Sequence, residues 1–319
     1  MHTKKLNQLR QHASKESEMN KKIPTTHGIN HRKIIRIAIT GRCNLTCQYC
    51  PIINNKQDMP LEQVIKIINF GRQLDTIPNL VLSGGEPLMH CKFAEILQHI
   101  HEFGYESLTL KTNGTMLSKA HLALIKNLSF SKFLLSVNID NLNAVINDDL
   151  HACFGSFAMS LNALRLAVDS DIDNMQVEMR SNIQPTQIDI MEKMALFAEN
   201  NGCQQINFSI IHPIGRAAKY TDLLMDTEQK FSFLKEIERL KQKLTITIIT
   251  NKSHQCLVCD SHPNNKVKMA RYCNTHPTTI YVNANGDVRF CQDLQTAAIM
   301  NIFPLTTEEI INKYNEMLI

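Results

Sequence analysis

The sequence predicts an α/β fold built from parallel strand–helix–strand units. Three observations carry that expectation. Six short apolar segments of strand character recur along the chain, stretches of helical period lie between them, and 43% of the 319 residues are hydrophobic. A chain of that size and composition can bury one large core and carry a small appendage.

In chain order, the first strand is Ile34–Thr40. A helix follows over Pro60–Leu74, with Pro at a first-turn position and Leu61, Val64, Ile65 and Ile68 on one face. The second and third strands are Asn79–Ser83 and Ser107–Thr112, and a helical pattern covers Leu117–Asn127. Lys132–Asn138 is the fourth strand. Gly155 and Ser156 then form the loop end and cap of a helix over Ser156–Val168. Met175–Ser181, a helix over Thr186–Asn200 and Gln205–Ile210 complete six units. A linker helix opens residues 226–319, where TTIYVNANGDVRF alternates around Asn285-Gly286 as a hairpin does. The expected organisation is therefore a basic arm over 1–33, a main domain over 34–225, and a small carboxyl-terminal unit over 226–319.

Net charge is +4, yet the first 33 residues hold eight Lys/Arg against two Glu, or +6. The remainder is thus about −2 (+4 minus +6), which argues against a nucleic-acid surface on the body of the protein. The basic arm has no apolar core long enough for a signal peptide or a membrane span. Ten cysteines without a secretion signal point to the reducing cytoplasm, with thiols used for metal.

Two motifs carry chemistry. Cys43, Cys47 and Cys50 lie in TGRCNLTCQYCPI, directly after the first strand. Three thiolates can hold three irons of a cubane cluster and leave the fourth iron open to another molecule. Half of a zinc site or three unrelated thiols are the plainer readings of the same spacing. After the second strand comes Gly84-Gly85-Glu86-Pro87, where adjacent glycines let a ligand approach the backbone and Glu86 offers an acceptor to an ammonium group.

Together these motifs resemble the radical S-adenosylmethionine (SAM) superfamily, and the likeness runs from about Ile34 to the end of the chain. It implies a partial (β/α)6 TIM-like barrel with ligands at the carboxyl ends of the strands. It also implies a [4Fe-4S] cluster on the three cysteines and SAM on its open iron. One electron from the cluster would cleave SAM to a 5′-deoxyadenosyl radical, which abstracts hydrogen from a substrate.

By the same resemblance, Tyr49 lies near adenine, and Gly84, Gly85, Glu86 and Pro87 bind the methionine amino group. Lys111-Thr112-Asn113-Gly114 matches a Thr-Asn-Gly turn in which Asn113 contacts the ligand. Ser136 and Asn138 end the fourth strand where relatives carry Ser-x-Asp; Asn138 replaces the carboxylate, and Asp140 is two residues beyond. Arg180 and Asn182 end the fifth strand, where polar groups reach the SAM carboxylate or ribose. For Arg180 a structural salt bridge is the alternative. His212-Pro213-Ile214-Gly215-Arg216-Ala217 resembles a segment of relatives with an extra cluster domain.

Cys256, Cys259, Cys273 and Cys291 resemble the SPASM/twitch extension. Four thiolates suffice for one auxiliary [4Fe-4S] cluster or a tetrahedral zinc. With 28 residues after Cys291 (319 minus 291) and no further Cys, one auxiliary cluster fits better than two. Cys91, Cys153 and Cys203 are expected to be buried or idle thiols.

The implied activity is modification of a ribosomally synthesised peptide by crosslinking, epimerisation or oxidation. Dehydrogenation of a small molecule and a non-catalytic iron–sulfur protein are the alternatives. A reductase such as flavodoxin or ferredoxin and a leader-binding protein are the implied partners, since the 33-residue arm is short for a leader-binding domain.

Overall fold

The computed structural model describes residues 34–51, 57–74, 78–250, 279–289, 298 and 300–318. Seven parallel strands form the body of one twisted sheet: β1 (Ile34–Thr40), β2 (Asn79–Gly84), β3 (Ser107–Thr112), β4 (Lys132–Asn138), β5 (Met175–Ile183), β6 (Gln205–Ile210) and β7 (Thr247–Thr250). Each pairs with the next in sequence, as right-handed strand–helix–strand units require. The first six coincide with the expected strands, and β5 runs two residues further. β7 was not anticipated, because four residues, TIIT, are too short to show a period.

Helices α1 (Leu61–Arg72), α2 (Phe93–Glu102), α3 (Lys119–Leu128), α4 (Ala144–His151), α5 (Ser156–Val168), α6 (Met191–Asn200) and α7 (Thr227–Lys243) lie between the strands. Thr186–Ile190, expected as the start of α6, winds instead within a 3₁₀ segment, Pro185–Ile190, with Pro185 at its first position.

Beyond β7 the chain returns to the opposite edge. β8 (Thr279–Val282) pairs in parallel with β1, and β9 (Asp287–Arg289) folds back antiparallel to it. The Asn283 side chain accepts from the backbone N–H of Asn285 and Asp287 and closes the hairpin turn. A two-residue β10 (Met300–Asn301) completes the ten-stranded order β10-β9-β8-β1-β2-β3-β4-β5-β6-β7. Helix α8 (Thr307–Leu318) then packs on α1, where the Phe70 and Tyr314 rings meet edge to face with centroids 5.5 Å apart. The described residues of 226–319 thus share the sheet and core of 34–225.

The sheet has two unlike faces, set by the two-residue period of its strands. Ile35, Ile37 and Ile39 of β1, Leu80 and Leu82 of β2, Leu108 and Leu110 of β3, Leu135 and Val137 of β4 point outward. They are buried against the helices in one continuous core. The alternate positions point inward and are mostly polar: Arg36, Ser83, Lys111, Ser136, Asn138, Glu178, Arg180, Asn207 and Ser209. Cross-strand register keeps them on one face, with Lys111 opposite Ser136, Ser136 opposite Glu178, and Asn138 opposite Arg180. An apolar outer face and a polar inner face are what a partial (β/α)6 barrel with a ligand-binding interior requires. Among the described residues no helix is long and apolar enough to cross a membrane.

Candidate active site

The loop after β1 carries Cys43, Cys47 and Cys50, all half-buried. Its far side rests on the end of α4, where the backbone N–H groups of Thr46 and Gln48 donate to the carbonyls of His151 (3.3 Å) and Leu150 (2.8 Å). The segment after β6 clamps it from the other direction. Arg216 donates its backbone N–H to the Cys50 carbonyl (3.0 Å) and its side-chain Nε to the Cys47 carbonyl (2.8 Å). Gly215 makes this approach feasible: its φ is +62°, and a Cβ there would lie 2.6 Å from the Cys50 oxygen.

The donor set fits a cubane cluster. Three half-buried thiols on one short loop can ligate three irons and leave the fourth open. The Leu45 N–H donates to Cys43 Sγ at 3.4 Å, and Asn113 Nδ2 approaches the same sulfur at 3.9 Å. Such donors stabilise a thiolate. Burial pushes the free Cys43 thiol up to about 11, and burial also raises Cys47, with the neighbouring thiols adding to it. Loading the loop with iron must therefore release protons.

Gly84-Gly85-Glu86-Pro87 docks on this loop through its backbone. Gly85 N–H donates to the Thr40 carbonyl (2.8 Å) and Glu86 N–H to the Arg42 carbonyl (2.7 Å). A Cβ on Gly85 would stand 1.9 Å from the Arg42 oxygen and 3.1 Å from Cys43 Cβ, so only glycine fits. Pro87 starts a short 3₁₀ turn that Glu86 caps by accepting from the Leu88 N–H.

The Glu86 carboxylate is fully buried and accepts from Thr112 Oγ1 (2.7 Å) and the Asn113 N–H (2.7 Å) as well. Burial raises its pKa, and these three donors pull against it. Glu86 thus ties the ends of β2 and β3 together, which its sequence context had not suggested. Asn113 in turn donates to Asn44 Oδ1 (3.0 Å), binding the Thr-Asn-Gly turn to the cysteine loop.

A second cluster closes the rim at β4 and β5. Asp140 is fully buried and accepts from Tyr49 Oη, Asn138 Nδ2 (2.6 Å) and the Asn182 N–H (2.6 Å), with His151 Nε2 at 2.8 Å. Burial works to raise the Asp140 carboxyl. The bonds and charge of His151, with Asn182 and Tyr49, outweigh it and hold the carboxyl below the ordinary range. The Asn138 amide oxygen accepts from Arg180 Nε (3.2 Å) and Asn182 Nδ2 (3.3 Å). Tyr49, Asn138, Arg180 and Asn182 are therefore assembled around Asp140. Among the described residues Arg180 makes no salt bridge within 4.0 Å. Ser136 sits deeper, fully buried, donating to Glu178 Oε1 at 2.5 Å.

His151, Asn147 and Gln187 escaped the sequence reading. Asn147 Oδ1 accepts from the Asp140 N–H (2.9 Å), and Gln187 Nε2 donates to the Asp140 carbonyl. One signal existed: Asn143 caps α4 through the N–H groups of Val145 and Ile146, and Asn147 and His151 then share a face four residues apart. Cys256, Cys259, Cys273 and Cys291 lie outside the described residues. Of the remaining thiols, Cys203 is buried, Cys153 half-buried and Cys91 exposed.

Residues 37–187, which span both clusters, match the family described as the radical SAM superfamily. The antilisterial bacteriocin subtilosin biosynthesis protein AlbA of Bacillus subtilis is 24% identical over 282 residues, covering 86% of this chain and 58% of that protein. A probable GTP 3′,8-cyclase of Methanothermobacter marburgensis is 36% identical over 94 residues, covering 28% of this chain and 30% of its own. The chain thus spans less than two thirds of the length of either relative. The fold is shared with Streptococcus suis SuiB bound to precursor peptide SuiA, at a TM-score of 0.67 and 14% identity over 96% of this chain and 69% of that one. It is shared also with anSMEcpe bearing bound AdoMet, at a TM-score of 0.61 and 17% identity over 89% of this chain and 82% of the other. The thiolate loop and the glycine-docked rim both lie within residues 37–187, the part of the chain that is similar to the radical SAM superfamily.

Proposed function

We propose that this chain is a radical SAM enzyme that modifies a ribosomally synthesised peptide. The observation that carries the reading is the extent of likeness to AlbA, which runs over 282 residues, against 226 for a probable GTP 3′,8-cyclase of Saccharolobus solfataricus at the same 24% identity. The precursor-bound SuiB fold, covering 96% of the chain, supports it. When bound, the [4Fe-4S] cluster and SAM supply a 5′-deoxyadenosyl radical that takes a hydrogen atom from the substrate. Cys43, Cys47 and Cys50 would hold the cluster. Gly84, Gly85, Pro87 and Asn113 would line the amino-acid end of SAM, while Tyr49, Asn138, Arg180 and Asn182 would face its adenosine or carboxylate.

Glu86 has two roles in this reading. Its carboxylate accepts three hydrogen bonds that hold the Asn113 turn, and the acceptor position left on Oε2 would take the methionine ammonium of SAM. The protein's contribution is positional: backbone contacts hold the cluster loop, and the Asp140 cluster orients Tyr49.

Cys256, Cys259, Cys273 and Cys291 are proposed to bind one auxiliary [4Fe-4S] cluster in a SPASM/twitch-like unit, with zinc as the alternative. Full ligation would suit electron transfer from the substrate radical better than substrate coordination. A low-potential reductase of the flavodoxin or ferredoxin kind and a cytoplasmic location go with this chemistry.

The test is co-expression with precursor peptides encoded beside it, followed by mass spectrometry. A SAM-dependent loss of two hydrogens, or deuterium uptake at one residue, is expected. Unchanged peptides together with turnover of GTP would replace this reading with a cyclase.

A further inference from the structure

The inner face of the sheet carries a charge imbalance that neither the cluster loop nor the Asp140 rim explains. Arg36 on β1, Lys111 on β3 and Arg180 on β5 all point inward by the strand period. They are close enough for their charges to interact. Lys111 is acted on by two cations, Arg36 and Arg180, and by one carboxylate, Glu178. Arg36 is acted on by Arg180 and by Tyr281 and Glu178.

That single carboxylate is already occupied. Ser136 Oγ donates to Glu178 Oε1 at 2.5 Å and Gln205 Nε2 to Oε2 at 2.6 Å. Among the described residues, neither the Arg36 guanidinium nor the Lys111 ammonium has a hydrogen-bond partner, and Arg180 spends only Nε, on Asn138. Glu86 and Asp140 stand at the rim: Glu86 accepts from Leu88, Thr112 and Asn113 and is acted on by Arg180 alone of the three cations, and Asp140 accepts from Tyr49, Asn138 and Asn182. Arg36, Lys111 and Arg180 are half-buried, and cations drawn from bulk water onto one interior face are ordinarily paired. Burial lowers the pKa of both Lys111 and Arg36, the latter to about 10; repulsion from Arg36 and Arg180 adds to it at Lys111, and repulsion from Arg180 adds to it at Arg36.

We propose that Arg36, Lys111 and Arg180 form a subsite for an anionic group of the substrate, a carboxylate or a phosphate, within the polar interior of the sheet. The proposal deepens the reading above, since it concerns the substrate bound in the same interior. It depends on charge and placement, and not on which bond is changed. Arg36 and Lys111 bring unspent donors, and Arg180 adds its terminal nitrogens at the side nearest the Asp140 cluster. Tyr281, inward on β8 opposite Arg36, provides a neutral wall. Glu178 competes with the ligand for the same cations.

Two probes separate the sources of the anion: inorganic pyrophosphate and the acetylated, amidated dipeptide Glu-Glu. The full chain is titrated with each by calorimetry, with and without SAM. At least one is expected to bind saturably, with R36Q and K111M each weakening it about tenfold or more, as loss of one partner of an enclosed charge pair does. R36K should retain most of the binding. E178Q should tighten it, a change of sign that a purely structural role for these residues would not produce. Preference for pyrophosphate assigns a phosphate-bearing substrate, and preference for the dipeptide assigns an acidic one. Absence of binding for both probes would overturn the subsite, as would binding unchanged in R36Q and K111M. One-for-one displacement of the anion by SAM would overturn it too, because the cations would then serve the SAM carboxylate. A chain that binds an anion yet leaves precursor peptides unmodified would refute the peptide reading alone.

Discussion

The two halves of the site rim are held by different means. At β1–β3 the cysteine loop is docked mainly by backbone groups: Gly85 and Glu86 N–H bond to Thr40 and Arg42 and Arg216 N–H to Cys50, with the Arg216 and Glu86 side chains adding to them. At β4–β5 they are made by side chains, with Tyr49, Asn138, His151 and Asn182 converging on Asp140. Backbone docking demands particular residues at fixed spacing, because a Cβ in the wrong place collides. Side-chain networks draw on residues scattered over the chain, each replaceable by another donor at a suitable distance. The first half should therefore fail abruptly when perturbed, and the second by degrees.

Gly85→Ala is the sharpest way to test the first half. Its methyl group would overlap the Arg42 carbonyl and displace the cysteine loop by about an ångström, a shift that can cost roughly a hundredfold in rate. Expected are a comparable loss of reductive SAM cleavage and lower iron occupancy. Activity within a factor of two of wild type would mean that the docking is loose.

His151→Leu probes the second half. It removes the partner of a fully buried carboxylate, and about 3 kcal/mol or more of stability should be lost in urea unfolding. Loss below about 1 kcal/mol would show that Asn138, Tyr49 and Asn182 satisfy Asp140 unaided.

A smaller effect follows from acid. The folded Asp140 carboxyl lies below its unfolded value, so its contribution is complete above about pH 5 and is lost as pH falls through the folded pKa. Asp140→Asn should flatten the acid limb of the stability profile and leave the neutral region parallel to wild type. An unaltered acid limb would assign acid sensitivity elsewhere. Least affected should be Asn113→Ala, which removes the bond to Asn44 and the approach to Cys43; about 1 kcal/mol is expected. A loss as large as that of His151→Leu would erase the contrast between the halves.

The same contrast explains what could be read before the fold was known. The strands were visible because apolar residues recur at every second position, as Ile35, Ile37 and Ile39 or Leu108 and Leu110 do, in short runs between helical patterns. Cys43, Cys47, Cys50 and the Gly-Gly pair were visible because their spacing is what the chemistry and the sterics both require. The Asp140 cluster was only partly visible. Asp140 and Asn138 stood at a strand end, but His151 and Asn147 belong to a helix of eight residues with no strong apolar period. Glu86 was legible as a residue of the motif and its partners were not, since nothing local ties it to Thr112, 26 residues away. The pairing of β8 with β1 joins residues some 245 positions apart (279 minus 34), a distance that no local pattern encodes.

The central claim is that the Cys43, Cys47 and Cys50 loop carries a [4Fe-4S] cluster. Anaerobic iron and sulfide quantitation with Mössbauer spectra, on wild type and on the C43A/C47A/C50A variant, tests it directly. The account predicts loss of about four irons per chain from the variant, with the spectrum of a cubane cluster disappearing. Iron content and spectrum unchanged in the variant would contradict it.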